Sequence, residues 1–326
     1  LITGANSAAG GALFGVTPAS VVNNPALTAW QQRSVLDVAA TALVSSNGDD
    51  KDYTDGSMGS AWEIGLMIPS RWCVSTLLFQ GIWSEFIDMP VGDSINFTAG
   101  VSKDITDQVS VGITADFGYL FGEAGSDWSL GANLGAYYNF GDWKFMKDIR
   151  FGASLMNLGK TYTDSKVAKG VDQVEDPLSN AKVDAWPGIA TLKTGVAATF
   201  LSTDIMKLGL SLDASYPAFQ DFVLDAGVQI QLWDFLKISS SWEYDVLEAS
   251  RKAENFMPSV GVSFRFNFNS KKSEFMKNHG WEESEITVSG AWKQLYKNVN
   301  AISGGAVMEL GLADTKAPEI KLWGEK

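Results

Sequence analysis

The chain has 326 residues, a net charge of −13, a mean hydropathy of −0.01, 12 Trp, one Cys and one His. The acidic balance and the lack of any Lys/Arg cluster exclude phosphate neutralisation and so nucleic-acid binding. A lone Cys73 excludes an internal disulfide framework or a Cys-based zinc site, and a lone His279 excludes a His-containing metal cluster built from one chain.

Residues 1–15 lack the basic start and continuous apolar core of a secretory signal, so the chain reads as mature or trimmed and its export follows from the pattern further on. Residues 1–34 have their own character. Ser7, Ala8, Ala9, Gly10, Gly11 and Ala12 are all small, while Leu13, Phe14, Val16, Val21, Val22 and Leu27 are too apolar for a free arm. Such a segment suits a confined lumen.

From Val35 to Leu312 a two-residue rhythm recurs in segments of roughly ten residues, the length of a tilted transmembrane strand. Val109, Val111, Ile113, Ala115, Phe117, Tyr119 and Phe121 share one face, and Ser110, Gly112, Thr114, Asp116 and Gly118 the other. Trp128, Leu130, Ala132, Leu134, Ala136, Tyr138 and Phe140 repeat it against Ser129, Gly131, Asn133, Gly135 and Asn139. A soluble antiparallel sandwich shows the same alternation over any one strand; repetition, strand length and aromatic ends favour a membrane barrel. About fourteen strands are expected, over 35–46, 60–70, 72–86, 95–104, 108–122, 127–140, 149–162, 188–202, 207–219, 222–233, 236–246, 256–269, 284–294 and 298–312. The fold class is all-β: a transmembrane antiparallel barrel over 35–312, an N-terminal hatch in its lumen over 1–34, and a periplasmic tail over 313–326. A bacterial barrel of this kind lies in the outer membrane of a diderm.

Connection lengths agree. The connections 47–59, 87–94 and 164–187 are long and read as external, whereas those around Pro69, Asp104 to Asp107, Asp204 to Lys207 and Trp233 to Phe235 are tight and read as periplasmic. The connection 270–283, long but on the inner side, is the exception, and a short helix would account for it. Trp62, Trp128, Tyr138, Trp186, Trp233 and Trp242 fall near strand ends, as an interfacial aromatic girdle requires. Ser303, Gly305, Met308 and Leu310 end the last strand in the order of a barrel assembly signal.

Alternation turns Asp37, Glu63, Asp116, Arg150, Lys193, Asp213, Asp225, Lys237, Glu243 and Arg265 inward. Most such charges serve structural networks with the N-terminal segment, but Arg150, Lys193 or Arg265 could meet a ligand carboxylate by a charge-assisted bond. Phe86, Ile87, Met89 and Pro90, with Trp186 and Pro187, are the apolar residues of the external connections and the candidate entry groove; ordinary loop packing is the competing reading. The acidic group Asp49, Asp50, Asp52 and Asp55 lacks the spacing of an EF-hand and reads as a solvated loop, so neither metal nor cofactor is expected.

The run SAAGGALFGVTPASVVNNPALTAW, with Asn24, Pro25 and Ala26 just before the first strand, resembles the hatch of the FadL family of long-chain fatty-acid transporters. The likeness covers about thirty residues by motif and nearly the whole chain in architecture, closest to the branch with PorV and spirochaetal barrels. The resemblance implies a fourteen-stranded barrel that admits hydrophobic molecules past a hatch and releases them sideways into the bilayer.

Two functions of different class follow. One is passive transport of hydrophobic or amphipathic molecules such as long-chain fatty acids. The alternative is a PorV-like adaptor, which docks a periplasmic or outer-membrane protein partner, for instance through the tail after Leu312. A diffusion porin fits less well, because a hatch would plug it. A hydrolase fits least, since barrel hydrolases set a histidine beside a catalytic Ser or acidic residue and His279 falls in a connection on the inner, periplasmic side.

Overall fold

The two-residue rhythm folds, in the computed structural model, into strands whose large apolar side chains point outward. The structure describes residues 7–13, 15–45, 58–83, 93–122, 125–160, 190–219, 221–246, 249, 257–269, 283–295 and 299–311. The strands are β1 (Ser34–Ser45), β2 (Met58–Pro69), β3 (Val74–Trp83), β4 (Asp93–Asp104), β5 (Val109–Gly122), β6 (Gly125–Trp143), β7 (Met146–Lys160), β8 (Thr191–Ser202), β9 (Met206–Tyr216), β10 (Val223–Leu232), β11 (Leu236–Asp245), β12 (Ser259–Asn269), β13 (Glu283–Leu295) and β14 (Val299–Leu310). Each pairs with its sequence neighbours, and β1 closes antiparallel on β14, so the fourteen strands form one closed barrel with no free edge. No helix among the described residues is long and apolar enough to cross a membrane.

The distribution of side chains is inverted relative to a soluble sandwich. In β5, Val111, Ile113, Phe117 and Tyr119 are exposed, whereas Ser110 and Thr114 are buried. Ile113 stands beside Leu134 and Phe117 beside Leu130 in the same outward row of β6. Water would penalise so large an apolar exterior, and a bilayer does not. That inversion, repeated around the wall, removes the sandwich alternative. Trp62 lies on the outer face against Phe79 and Trp83, with ring centres 4.9 and 5.5 Å apart.

Strand ends differ from expectation for local reasons. β3 starts at Val74 and not at 72 because the Ser70 hydroxyl accepts the N–H groups of Trp72 and Cys73 at 3.3 and 3.2 Å, which closes a turn. β9 stops at Tyr216, where Pro217–Phe219 forms a single 3-10 turn. β6 runs three residues past Phe140, crossing register breaks at Asn139/Gly141 and Gly141/Trp143. The connections 270–282 and 46–57, with His279, Asp49, Asp50, Asp52 and Asp55, and the tail from 312 lie outside the described residues.

The N-terminal segment, residues 7–13 and 15–33, leads directly into β1 and lies against inward-facing residues of the wall. Two 3-10 turns shape it, Pro18–Val22 and Pro25–Trp30, each opened by a proline whose fixed φ suits a first helical position. Ala9, Val21, Asn24, Ala26 and Thr28 are essentially inaccessible.

Candidate functional site: the lumen and its N-terminal segment

Asn24 is the centre of the segment. Its Oδ1 accepts the Ala26 N–H at 2.9 Å, opening the second turn, while its Nδ2 donates to the carbonyls of Ala8 and Ala136 at 2.9 and 2.8 Å. One side chain thereby joins two parts of the segment to β6. Pro25 and Ala26 follow along the wall where Gly112 and Gly135 face inward, and a Cβ at Gly135 would overlap Asn24 Oδ1. At Gly152 the Ala8 carbonyl takes the place of a side chain. These glycines are the small residues of the wet face, spaced by the same alternation that puts Val111, Leu134 and Phe151 on the outside.

Further bonds fasten the segment around the lumen. Asp213 Oδ1 accepts from Ser7 Oγ at 3.1 Å and Ala8 N–H at 2.7 Å, and Gln229 Oε1 accepts the Leu13 N–H at 2.5 Å. Ser154 donates to the Asn23 carbonyl at 2.6 Å, and Trp30 Nε1 donates to Ser110 Oγ at 2.7 Å. At the tight-turn rim, Arg33 Nη1 lies 3.3 Å from Glu285 and 3.5 Å from Glu309. Those two glutamates sit directly opposite each other on β13 and β14, so Arg33 separates a pair of like charges that the register forces together.

The three inward cations expected to meet a ligand are not brought together. Arg150 donates to the Ala12 carbonyl and pairs with Asp148 at 3.4 Å. Lys193 reaches the Val22 carbonyl at 3.4 Å and Asn23 Oδ1 at 3.3 Å. Both hold the segment. Arg265, 3.8 Å from Glu285, instead lines a cavity of about 310 Å³, together with Lys237, Thr287 and Glu309 on one wall and Asp37 and Glu63 on the other. Gly15 to Ser20 of the segment closes its third side.

A second cavity, of about 390 Å³, lies toward the long-connection rim between Thr41, Leu43, Ser94, Asn96 and Leu295. It shares Glu63 and Gln80 with the first. Gln80 Nε2 donates to Glu63 Oε2 at 3.2 Å, so this pair stands at the junction of the two spaces. A third cavity, of about 220 Å³, lies beside Ala8 among Lys193, Asp213, Asp225 and Glu243. The external-groove residues Phe86, Ile87, Met89 and Trp186, with Pro90 and Pro187, lie outside the described residues.

Sequence reasoning singled out Asn24, Pro25 and Ala26 and the inward charges, but it missed Arg33, Gln229 and Ser154. For Arg33 a signal was present: it is the only charged residue among the first 34.

No protein-family model and no curated protein matches the sequence. Solved structures do match. The toluene transporter TodX of Pseudomonas putida aligns over 95% of this chain and 97% of its own at 10% identity and a TM-score of 0.55. The monoaromatic hydrocarbon channel CymD aligns over 96% and 98% at 12% identity and a TM-score of 0.52. The toluene transporter TbuX of Ralstonia pickettii aligns over 93% and 95% at 10% identity and a TM-score of 0.50. With nearly the whole of both chains superposed and the strand order closed at fourteen, the chain has the FadL-type barrel fold of the TodX and CymD channels.

Proposed function

We propose that the chain is an outer-membrane transporter for hydrophobic or amphipathic small molecules, with residues 1–34 as its hatch. The observation that carries this reading is the lumen itself: a barrel with the fold of hydrocarbon channels holds its own N-terminal segment by buried hydrogen bonds, with cavities beside it. A molecule enters at the long-connection rim, passes the Glu63–Gln80 junction and reaches the cavity lined by Lys237 and Arg265. Long-chain fatty acids fit the two ends of such a site, an apolar tail and a head group met by a cation. Of the three cations considered, Arg265 is the one for this task, because Arg150 and Lys193 hold the segment.

The test is binding of oleate and of the chain-matched alcohol to the purified barrel. Oleate should bind more tightly, and Lys237→Gln with Arg265→Gln should shrink that preference by about tenfold, the scale of one charge-assisted hydrogen bond. Arg150→Gln with Lys193→Gln should leave it in place. Absence of binding by either amphiphile, with recovery of a stoichiometric protein partner instead, would give the adaptor function the better claim.

A further inference from the structure

The lipid-facing side of the barrel carries a depression at the tight-turn half of β6–β10. There the wall is built from Ala198, Ala226 and Gly227, flanked by the taller Phe140, Phe151, Phe200 and Leu212. They leave a groove of about 670 Å³ whose lining is apolar apart from Ser211. Register breaks at Lys147/Arg150 between β7 and β8 and at Thr199/Leu201 between β8 and β9 fall along the same stretch. Bulged strands bend away from a smooth wall.

The turn between β6 and β7 closes one end of the groove with Trp143 and Met146. It also carries the exposed Lys144, whose Nζ sits 4.6 Å from the Trp143 ring centre. The acids of this turn are already committed: Asp148 pairs with Arg150 at 3.4 Å, and Asp142 Oδ1 accepts the Asp148 N–H at 2.9 Å. Lys144 has no ion-pair partner among the described residues.

We propose that this groove seats one phospholipid of the leaflet at the tight-turn rim, with an acyl chain between Phe140, Phe151 and Leu212 and the phosphate at Lys144. The groove is continuous with the outward apolar face, so what reaches it comes from the hydrocarbon layer. An alkyl chain on a flat wall is covered on one side only, whereas here side chains rise on both sides of it. A transmembrane helix is too thick, since this volume holds fewer than roughly two turns of a helix about 10 Å across. An apolar trough ending at an exposed cation without an ion-pair partner matches an amphiphile with an anionic head group.

The proposal is independent of what the lumen transports, and its test is native mass spectrometry of detergent-exchanged, delipidated protein with equimolar phosphatidylglycerol and phosphatidylethanolamine. One phosphatidylglycerol should be retained, favoured about fivefold over phosphatidylethanolamine. Ala226→Phe fills the groove at a lipid-exposed position and should reduce retention to background without changing oleate uptake. Lys144→Gln, confined to an exposed turn, should keep an adduct but remove the preference. Equal retention by parent and Ala226→Phe, no adduct above background, or an unchanged preference in the lysine variant would each overturn the assignment. So would loss of oleate uptake in Ala226→Phe, which would make the groove part of the transport path.

Discussion

Asn24 shows how much one short side chain does inside a membrane barrel. Its amide serves two carbonyls and its oxygen serves one N–H, with no exposed surface remaining. Asn24→Ala would remove all three bonds, a loss of about 1–3 kcal/mol. Hydrogen exchange should then speed up at the Ala26 amide while core strand amides stay protected; unchanged exchange at Ala26 would refute this role. The neighbouring question of which face a residue takes has its own test. Leu134, near the middle of β6 and facing lipid, should lose about 2–4 kcal/mol on replacement by Arg. Thr287→Arg should cost less, because Thr287 borders the 310 Å³ cavity. Alternation alone would nominate Asn133 as the tolerant inward position, and the direction is right. Its tolerance is not: Asn133 donates to Thr114 and Asp116 and accepts the Asn157 N–H at 2.7 Å, filling a bulge at the Ala132/Leu134 register break. Period-2 patterning tells which way a side chain points and nothing of what it meets.

Among elements, the strands were the most legible in the sequence. Lipid on one side and a wet lumen on the other impose the same alternation on every strand, and expected and observed spans agree to within three residues at every end. The bulges were not legible, because residues such as Asp148 and Asn157, with φ of 52° and 61°, carry no local pattern that demands them. The N-terminal segment was legible in part. Its small residues and Asn24–Pro25–Ala26 marked it, yet the roles of Arg150 and Lys193 depend on which carbonyls the folded segment brings near them. Arg33 permits a direct measurement at this scale. Arg33→Gln removes the one cation within 4 Å of both Glu285 and Glu309, leaving Arg265 beside Glu285 alone, and should lower stability by about 1–3 kcal/mol. Adding Glu309→Gln should return part of that loss. If the double variant is no more stable than the single one, Arg33 does not act through those carboxylates. Deletion of residues 7–33 should turn a closed barrel into a conducting one in planar bilayers; a deletion variant as tight as the parent would separate the segment from the closure of the lumen.

For the molecule as a whole, the apolar exterior and polar interior follow from one rule applied fourteen times, and closure of β1 on β14 removes the edges that would otherwise aggregate. The glycines facing the segment add a constraint of another kind. At Gly135 and Gly152 the wall has no room for so much as a methyl group, because atoms of residues 24 and 8 already occupy that volume. Segment and wall are therefore a matched set, manufactured in one chain and not interchangeable as parts. A chimera that exchanges only residues 1–34 for the corresponding stretch of TodX should insert and close as a barrel yet leak ions. Exchanging the facing strands β5–β7 along with it should restore the seal. In descent, too, neither piece can drift alone: a wall that gains a side chain at one of these positions needs a segment reshaped at the same step, so variation here should arrive in pairs.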